Sequence, residues 1–240
     1  MPHRSAVAFI AVMLLLAQAA QAPAQPVHEG RPAIILLVGA SGMIGSRILA
    51  EAAGRGHPVI AAARHPQRIA AGTNIRVVPL DATDVQAFIV LARHADVIVT
   101  ATSPRGGGDP LKEAKAVGDA AIAAARATGK RLIVVGGAGS LSLPDGRPVA
   151  DTLPAAYRGE ALAMRAVLDS LKASDVDWTF FSPAFSIAPG QRTGQYRLGT
   201  TTLLSDQNGN SRISAEDYAK ALVDEVESPA HERAQMTIAY

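Results

Sequence analysis

The sequence contains no cysteine. That excludes disulfides, thiolate metal ligands and a thiol nucleophile, and it suits an oxidising compartment, where a stray thiol is a hazard. Aromatic residues are scarce: one tryptophan, four tyrosines and five phenylalanines in 240 residues. There is no block of like charge either. The 23 basic and 21 acidic residues leave a net charge of +2 that is not gathered into a run. Nucleic-acid binders concentrate Lys and Arg on one face and offer rings for stacking, so nucleic acid is not expected as a partner. The six histidines are scattered. No His/Asp/Glu spacing suggests a metal, and no nucleophile elbow or serine triad stands out.

Hydrophobic residues make up 48% of the chain, enough for one sizeable core, and the length suits a single domain or a domain with a small appendage. The first residues read as an export signal. Arg4 supplies a positive start, Ala6–Ala17 is an uncharged apolar run, and the small-residue triplets Ala17-Gln18-Ala19, Ala20-Gln21-Ala22 and Ala22-Pro23-Ala24 follow. This is the order of a secretory signal peptide, here spanning residues 1–24. The apolar run is shorter than the roughly 20 residues that span a bilayer. Cleavage before Gln25 and a periplasmic or secreted product are expected, without stable membrane insertion; an uncleaved membrane anchor is the alternative. His3 and Arg4 form no twin-arginine mark, so export in the folded state lacks its usual signature.

Beyond the spacer 25–32 the chain alternates regularly. The apolar run Ala33–Val38 suits a strand buried on both faces, and Pro58–Ala63, Ile75–Leu80, Asp96–Thr100, Arg131–Val135 and Trp178–Ser182 read as further strands. Helical spacing fills Met43–Gly54, Asp84–His94, Leu111–Thr128 and Pro154–Ala173, and a turn or two fits His65–Ala71. This is the pattern of βαβ units and a parallel sheet, giving a doubly wound α/β domain over residues 33–240 with helices on both faces. Pro189–Ser211, rich in Gly, Thr, Asn and Gln, reads as short strands and turns, with Gln195–Leu198 and Thr201–Leu204 flanking a Gly-Thr turn. Ser214 is placed to cap a last helix, and Gln235–Ala239 to form a terminal strand. The region from about 183 onward is the expected substrate side.

The segment Gly39-Ala40-Ser41-Gly42-Met43-Ile44-Gly45 follows the first strand and opens the first helix. In that context a glycine pattern points to a dinucleotide cradle. Gly39 permits the tight turn, Gly42 lets backbone approach a pyrophosphate and Gly45 allows close helix–strand packing, while the helix N-terminus at Met43 and Ile44 offers N–H groups and partial positive charge. Ser41 lies within the same loop. Arg64 closes the second strand, where NAD-preferring sites carry Asp or Glu for the ribose 2′-hydroxyl. A guanidinium pairs instead with a 2′-phosphate, so NADP is expected over NAD, with a solvated surface arginine as the bland alternative. Asp81 closes the third strand. It can accept from the adenine amino group, or cap the following turn as Asp84 caps the next helix. Ala82, and Ala101 with Thr102 past the fourth strand, belong to the same edge.

These residues resemble a known family. The glycine loop, Arg64, Leu80-Asp81-Ala82-Thr83-Asp84 and Val134-Val135-Gly136-Gly137-Ala138-Gly139-Ser140 look like the atypical short-chain dehydrogenase/reductases. More narrowly they resemble the NAD(P)H-binding, NmrA-like and NADH-flavin reductase group related to biliverdin reductase B. Asp177–Pro183, Pro189–Leu204 and Asn210–Tyr218 strengthen the likeness, which covers Ala33 to Tyr240. It implies a Rossmann-type fold, a nicotinamide cofactor, a small-molecule acceptor and a monomer or homodimer. It also implies a Ser or Thr beside the nicotinamide at Ser140, otherwise a turn serine, and a proline flanking the cofactor at Pro183. The chain departs from the wider superfamily in one respect. That pattern pairs a Tyr with a Lys four residues on, whereas Tyr157 is followed at that offset by Ala161, and no lysine lies between Arg158 and Leu171. A lone tyrosine near its ordinary pKa of about 10 is a poor acid–base group at neutral pH. Tyr157 is thus a candidate proton donor or a helix-start residue with its hydroxyl in water. Hydride transfer from NADPH to a flavin, quinone or carbonyl is the expected chemistry; a non-catalytic NAD(P)-binding sensor is the alternative, and a sugar-nucleotide epimerase a weaker one.

Overall fold

The computed structural model describes residues 31–104 and 107–240; the signal-peptide expectation lies outside them. Strands β1 (Ile35–Val38), β2 (Val59–Ala63), β3 (Ile75–Pro79), β4 (Val97–Thr100), β5 (Arg131–Val135) and β6 (Trp178–Ser182) alternate with helices α1 (Met43–Gly54), α2 (Val85–Ala92), α3 (Pro110–Thr128) and α4 (Ala155–Lys172). Then come β7 (Ser186–Ala188), β8 (Arg197–Gly199), β9 (Arg212–Ser214), α5 (Ala215–Glu227) and β10 (Ala234–Ala239). The main sheet has eight strands in the order β3-β2-β1-β4-β5-β6-β10-β8. All neighbours pair in parallel except β8, which runs antiparallel to β10.

Strands β1, β2, β4 and β6 are buried along their whole length, as their unbroken apolar runs require. Alternate residues feed two cores. Leu36, Ile60, Ile98, Leu132 and Phe180 meet α2, α3 and α4 on one face, and Ile35, Leu37, Val99, Ile133 and Phe181 meet α1 and α5 on the other. The sheet is wound outward in opposite senses from β1 and from β4, so the carboxyl ends of these parallel strands flank a crevice at a topological switch point. Pro79 ends β3, where a residue without N–H does the least harm to the ladder.

The short strands expected at Gln195–Leu198 and Thr201–Leu204 are corrected by the structure. Only Arg197–Gly199 is strand, and it pairs with the terminal strand: Leu198 opposite Ile238. Thr201 and Leu203 bond instead to Ser142, with Ser142 N–H donating to Thr201 O at 2.9 Å and Leu203 N–H to Ser142 O at 2.8 Å. An isolated two-stranded hairpin is marginal in water, whereas the open edge of β10 supplies a ready ladder. The segment 141–153 includes a 3-10 turn at Val149–Thr152. Strands β7 and β9 form a separate parallel pair.

A buried carboxylate fastens the 190–195 loop. Asp217 on α5 accepts from Thr193 N–H (3.1 Å), Thr193 Oγ1 (2.6 Å), Gly194 N–H (2.7 Å) and the Tyr240 hydroxyl (2.9 Å). Burial opposes its ionisation, but these four donors outweigh the burial and hold its pKa below the usual carboxylate range.

Candidate functional site: a dinucleotide cleft

The glycine loop folds as its residue types dictate. Gly39 has φ of +87°, and a Cβ there would lie 2.5 Å from the carbonyl oxygen of Ala101. A Cβ on Gly45 would lie 2.1 Å from the carbonyl oxygen of Gly39. Both positions therefore admit only glycine without movement of backbone. The loop is thereby drawn against β4 and helix α1 starts directly at the strand edge.

The helix ends differ in a telling way. Asp84 caps α2, Asp109 caps α3 and Ser214 caps α5, each side chain accepting from a first-turn N–H. Gly42 begins α1 and Pro154 begins α4 with no side-chain cap, and neither first turn carries an acidic residue; of the two, α1 is the one that starts at the glycine loop and the cleft. The N–H groups of Met43, Ile44 and Gly45 precede any intrahelical acceptor, so they and the positive end of the helix dipole are left for an anion. The residues fit a pyrophosphate: a cradle that a Cβ would fill, and a helix terminus lacking its own cap.

A cavity of about 400 Å³ opens beside this terminus, within the size range of small-ligand sites. It brings together Gly39, Ser41, Gly42, Arg64, Asp81, Ala82, Ala101 and Thr102 from the ends of four strands. His65 and Arg68 join Arg64 at the rim, carried by a 3-10 turn at Pro66–Arg68. Arg64 is exposed. Asp81 Oδ1 accepts from Thr83 N–H (3.0 Å) and from the Thr83 hydroxyl (2.8 Å). Those two bonds, with a smaller contribution from the charge of Arg64, keep its pKa below the usual carboxylate range. The turn-capping role and a role toward a ligand are thus compatible, because only one carboxylate oxygen is used by Thr83. The cavity runs inward between α3 and α4, past Val117, Gly118, Met164 and Val167. Sequence reasoning did not assign this inner wall, although the run of small residues in α3 was its visible signal.

Met43, Ile44 and Gly45 approach the cleft through backbone rather than as cavity-lining side chains, and Gly45 is buried beneath the loop. Pro183 is buried just past β6. Neither Ser140 nor Tyr157 lines the cavity. Ser140 ends a 3-10 turn after β5, and its hydroxyl is within bonding reach of Gly137 O (2.7 Å), Ser182 Oγ (2.9 Å) and Gln235 Nε2 (3.1 Å). Gln235 Nε2 also reaches Ser182 Oγ at 3.0 Å. These partners fill the hydroxyl's bonding capacity of one donor and two acceptor sites. Tyr157 sits in the first turn of α4 with 62% of its surface exposed. Among the described residues no group of three or more His, Cys, Asp or Glu could hold a metal.

A mostly parallel, doubly wound sheet with an uncapped glycine-loop helix at its switch point defines a Rossmann-type dinucleotide-binding protein. The chain belongs to the NAD(P)H-binding family, whose model matches residues 39–229. It is 35% identical to YwnB of Bacillus subtilis (strain 168) over 213 residues, covering 84% of this chain and 96% of that protein. Among solved structures it resembles an exported-protein candidate from Burkholderia pseudomallei, with 43% identity, TM-score 0.78, and coverage of 87% of this chain and 100% of that one. An epimerase candidate from Bacteroides thetaiotaomicron matches with 36% identity, TM-score 0.80, and coverage of 88% and 98%. An NADH-flavin reductase candidate from Streptococcus pneumoniae TIGR4 matches with 28% identity, TM-score 0.74, and coverage of 86% and 99%. These likenesses agree with the group that the glycine loop and later segments resemble, and they support an oxidoreductase-like, NAD(P)-binding protein.

Proposed function

We propose that the chain is an NADPH-dependent oxidoreductase of the atypical short-chain type, reducing a small acceptor such as a flavin, quinone or carbonyl. The observation that carries this reading is the rim of the cleft: Arg64 follows the end of β2, where an NAD site places a carboxylate, with Arg68 beside it. In this reading the N–H groups of residues 43–45 bind the pyrophosphate, Arg64 pairs with the 2′-phosphate, and the second oxygen of Asp81 accepts from the adenine amino group. Ala101, Thr102 and Pro183 wall the path toward the end of β6. When bound, the cofactor supplies a hydride, which brings two electrons and one proton's mass to the acceptor and leaves the nicotinamide oxidised. The residues' work is orientation and exclusion of water. With the Ser140 hydroxyl engaged and Tyr157 in solvent, the remaining proton comes from water.

The test is a fluorescence titration of the protein from Gln25 onward with NADPH and NADH, repeated on Arg64→Ala. A hydrogen bond to a charged group contributes about 1.5–3 kcal/mol. The exposure of Arg64 puts its effect at the lower end, so NADPH binding weakens about tenfold and NADH binding stays unchanged. Equal losses for both cofactors would remove the phosphate role.

A second reading, a non-catalytic NAD(P)-binding sensor, is favoured by the absence of Ser140 and Tyr157 from the cavity lining and by Ala161 at the lysine offset from Tyr157. NADPH binding without oxidation across a panel of flavins, quinones and carbonyls would select it. The epimerase reading draws on the name of the Bacteroides neighbour alone. We also infer export, supported by the N-terminal pattern and by the Burkholderia neighbour named as an exported-protein candidate. No helix among the described residues is long and apolar enough to cross a membrane.

A further inference from the structure

A second cavity, of about 630 Å³, lies where the segments that leave β5 and β6 meet the chain leading into β9. Leu143 is three residues past Ser140, and Phe185 is two past Pro183, so this cavity belongs to the same sheet edge as the dinucleotide cleft, on its β5–β6 side. Its wall combines two kinds of surface. Leu143, Val149 and Leu203 are apolar, and Phe185 presents a ring with 51% of its surface exposed. Asn210, Ser211 and Arg212 complete the lining, and Arg212 borders the neighbouring cavity beside Tyr240 as well.

Both Phe185 and Arg212 are held in place. Phe185 N–H donates to Ser211 Oγ at 3.0 Å. Arg212 N belongs to strand β9, its carbonyl accepts from Tyr240 N–H at 3.0 Å, and its guanidinium lies 5.8 Å from the centre of the Tyr240 ring. The charge of Arg212 is not consumed by a carboxylate. The acidic group it acts on is Asp206, whose oxygens already accept from Asn208 N–H, Asn210 N–H and the Asn210 amide. Arg55, Arg131 and Arg192, by contrast, each bond directly to Glu or Asp. An exposed ring, an aliphatic wall and a guanidinium without an ion-pair partner together select a flat conjugated molecule that carries an anionic group.

We propose that this cavity is the acceptor site and that Arg212 makes it specific for planar acceptors bearing a sulfonate, carboxylate or phosphate, the ring stacking on Phe185. The proposal rests on the oxidoreductase reading for its function but not for its test. Calorimetric titration with naphthoquinone sulfonate and with menadione, in the absence of any nucleotide, reads the cavity by itself. The sulfonate binds about tenfold tighter than the neutral quinone to the protein from Gln25 onward, as one charge-assisted contact supplies. Arg212→Ala abolishes that preference, Arg212→Lys retains part of it, and Phe185→Ala weakens both quinones alike. NADPH affinity, measured separately, is unchanged in all three variants. Failure of either quinone to bind, equal affinity for the two, or a preference that survives Arg212→Ala overturns the proposal. Loss of NADPH binding in the unmutated protein would instead overturn the oxidoreductase reading while leaving the quinone result to stand.

Discussion

Helix α1 offers the same substitution with opposite expected signs at its two ends. At Gly45 an added Cβ would lie 2.1 Å from Gly39 O, 2.9 Å from Gly39 C and 3.2 Å from Ala40 Cα. All three are backbone atoms, so no side chain can swing away. Gly39 cannot retreat either, because its own position is set by Ala101 O and by a φ of +87°. Overpacking of this kind costs about 1–3 kcal/mol, against about 1 kcal/mol gained from replacing Gly by Ala within a helix. Gly45→Ala is therefore expected to lose up to about 2 kcal/mol net. It also pushes the loop off the helix N-terminus, which removes nucleotide binding. At Gly54, the last residue of the same helix, a Cβ would meet nothing within 4 Å. Gly54→Ala is expected to stabilise the protein by about 0.5–1 kcal/mol and leave binding intact. Urea unfolding gives the stability difference, which corresponds to a shift of about 2–4 °C per kcal/mol in a domain of this size, and an NADPH titration gives the second readout. Gly45→Ala with unchanged stability and unchanged binding would refute the close-packing argument, since the loop would then have room that the geometry denies it.

Two other expectations follow from particular groups. Asp217→Asn replaces an acceptor-only carboxylate facing four donors with an amide that carries two N–H groups of its own, so stability at neutral pH falls by about 2–3 kcal/mol in urea unfolding. Because the folded pKa of Asp217 is depressed, its contribution is present above the unfolded value and is lost as pH falls through the folded one. The gap between the unmutated protein and the variant therefore narrows on acidification, and a gap that widens would contradict the hydrogen-bond account. For the N-terminus, intact-mass measurement of the exported fraction is expected to find a chain beginning near Gln25; Met1 retained there would leave the anchor as the reading.

Much of the sheet was legible because its signals are local. Helix α1 runs Met43–Gly54 as its apolar spacing and terminal glycine indicated, and Asp84 and Ser214 cap the helices they precede. Six strands with unbroken or nearly unbroken apolar runs fell within a residue or two of their observed ends. The parallel pair β7–β9 was not legible: each strand has three residues, too few to show a period, and the partners lie 26 positions apart, Ser186 opposite Arg212. The strands expected on either side of the Gly-Thr turn failed for the complementary reason, since a local turn signal competed with a distant edge that gives the backbone better partners.

The candidate site divides along the same line. The glycine loop and its helix are one contiguous segment, and Arg64 and Asp81 follow directly on strand ends, so the sequence alone determined the glycine loop at the strand edge, the nicotinamide class of cofactor and the gathering of Arg64 and Asp81 at one cleft. The tertiary structure decided what each hydroxyl is free to do. Ser140 meets Gln235 across 95 positions of sequence and Ser182 across 42, contacts that no spacing rule anticipates, and their geometry fills its bonding capacity. The second cavity likewise exists only because segments following β5 and β6 converge with the chain entering β9. Backbone preferences and apolar periodicity act over a few residues and are written in order along the chain. Cavities and the pairing of buried polar groups depend on which distant segments pack together, and that is set by the whole fold.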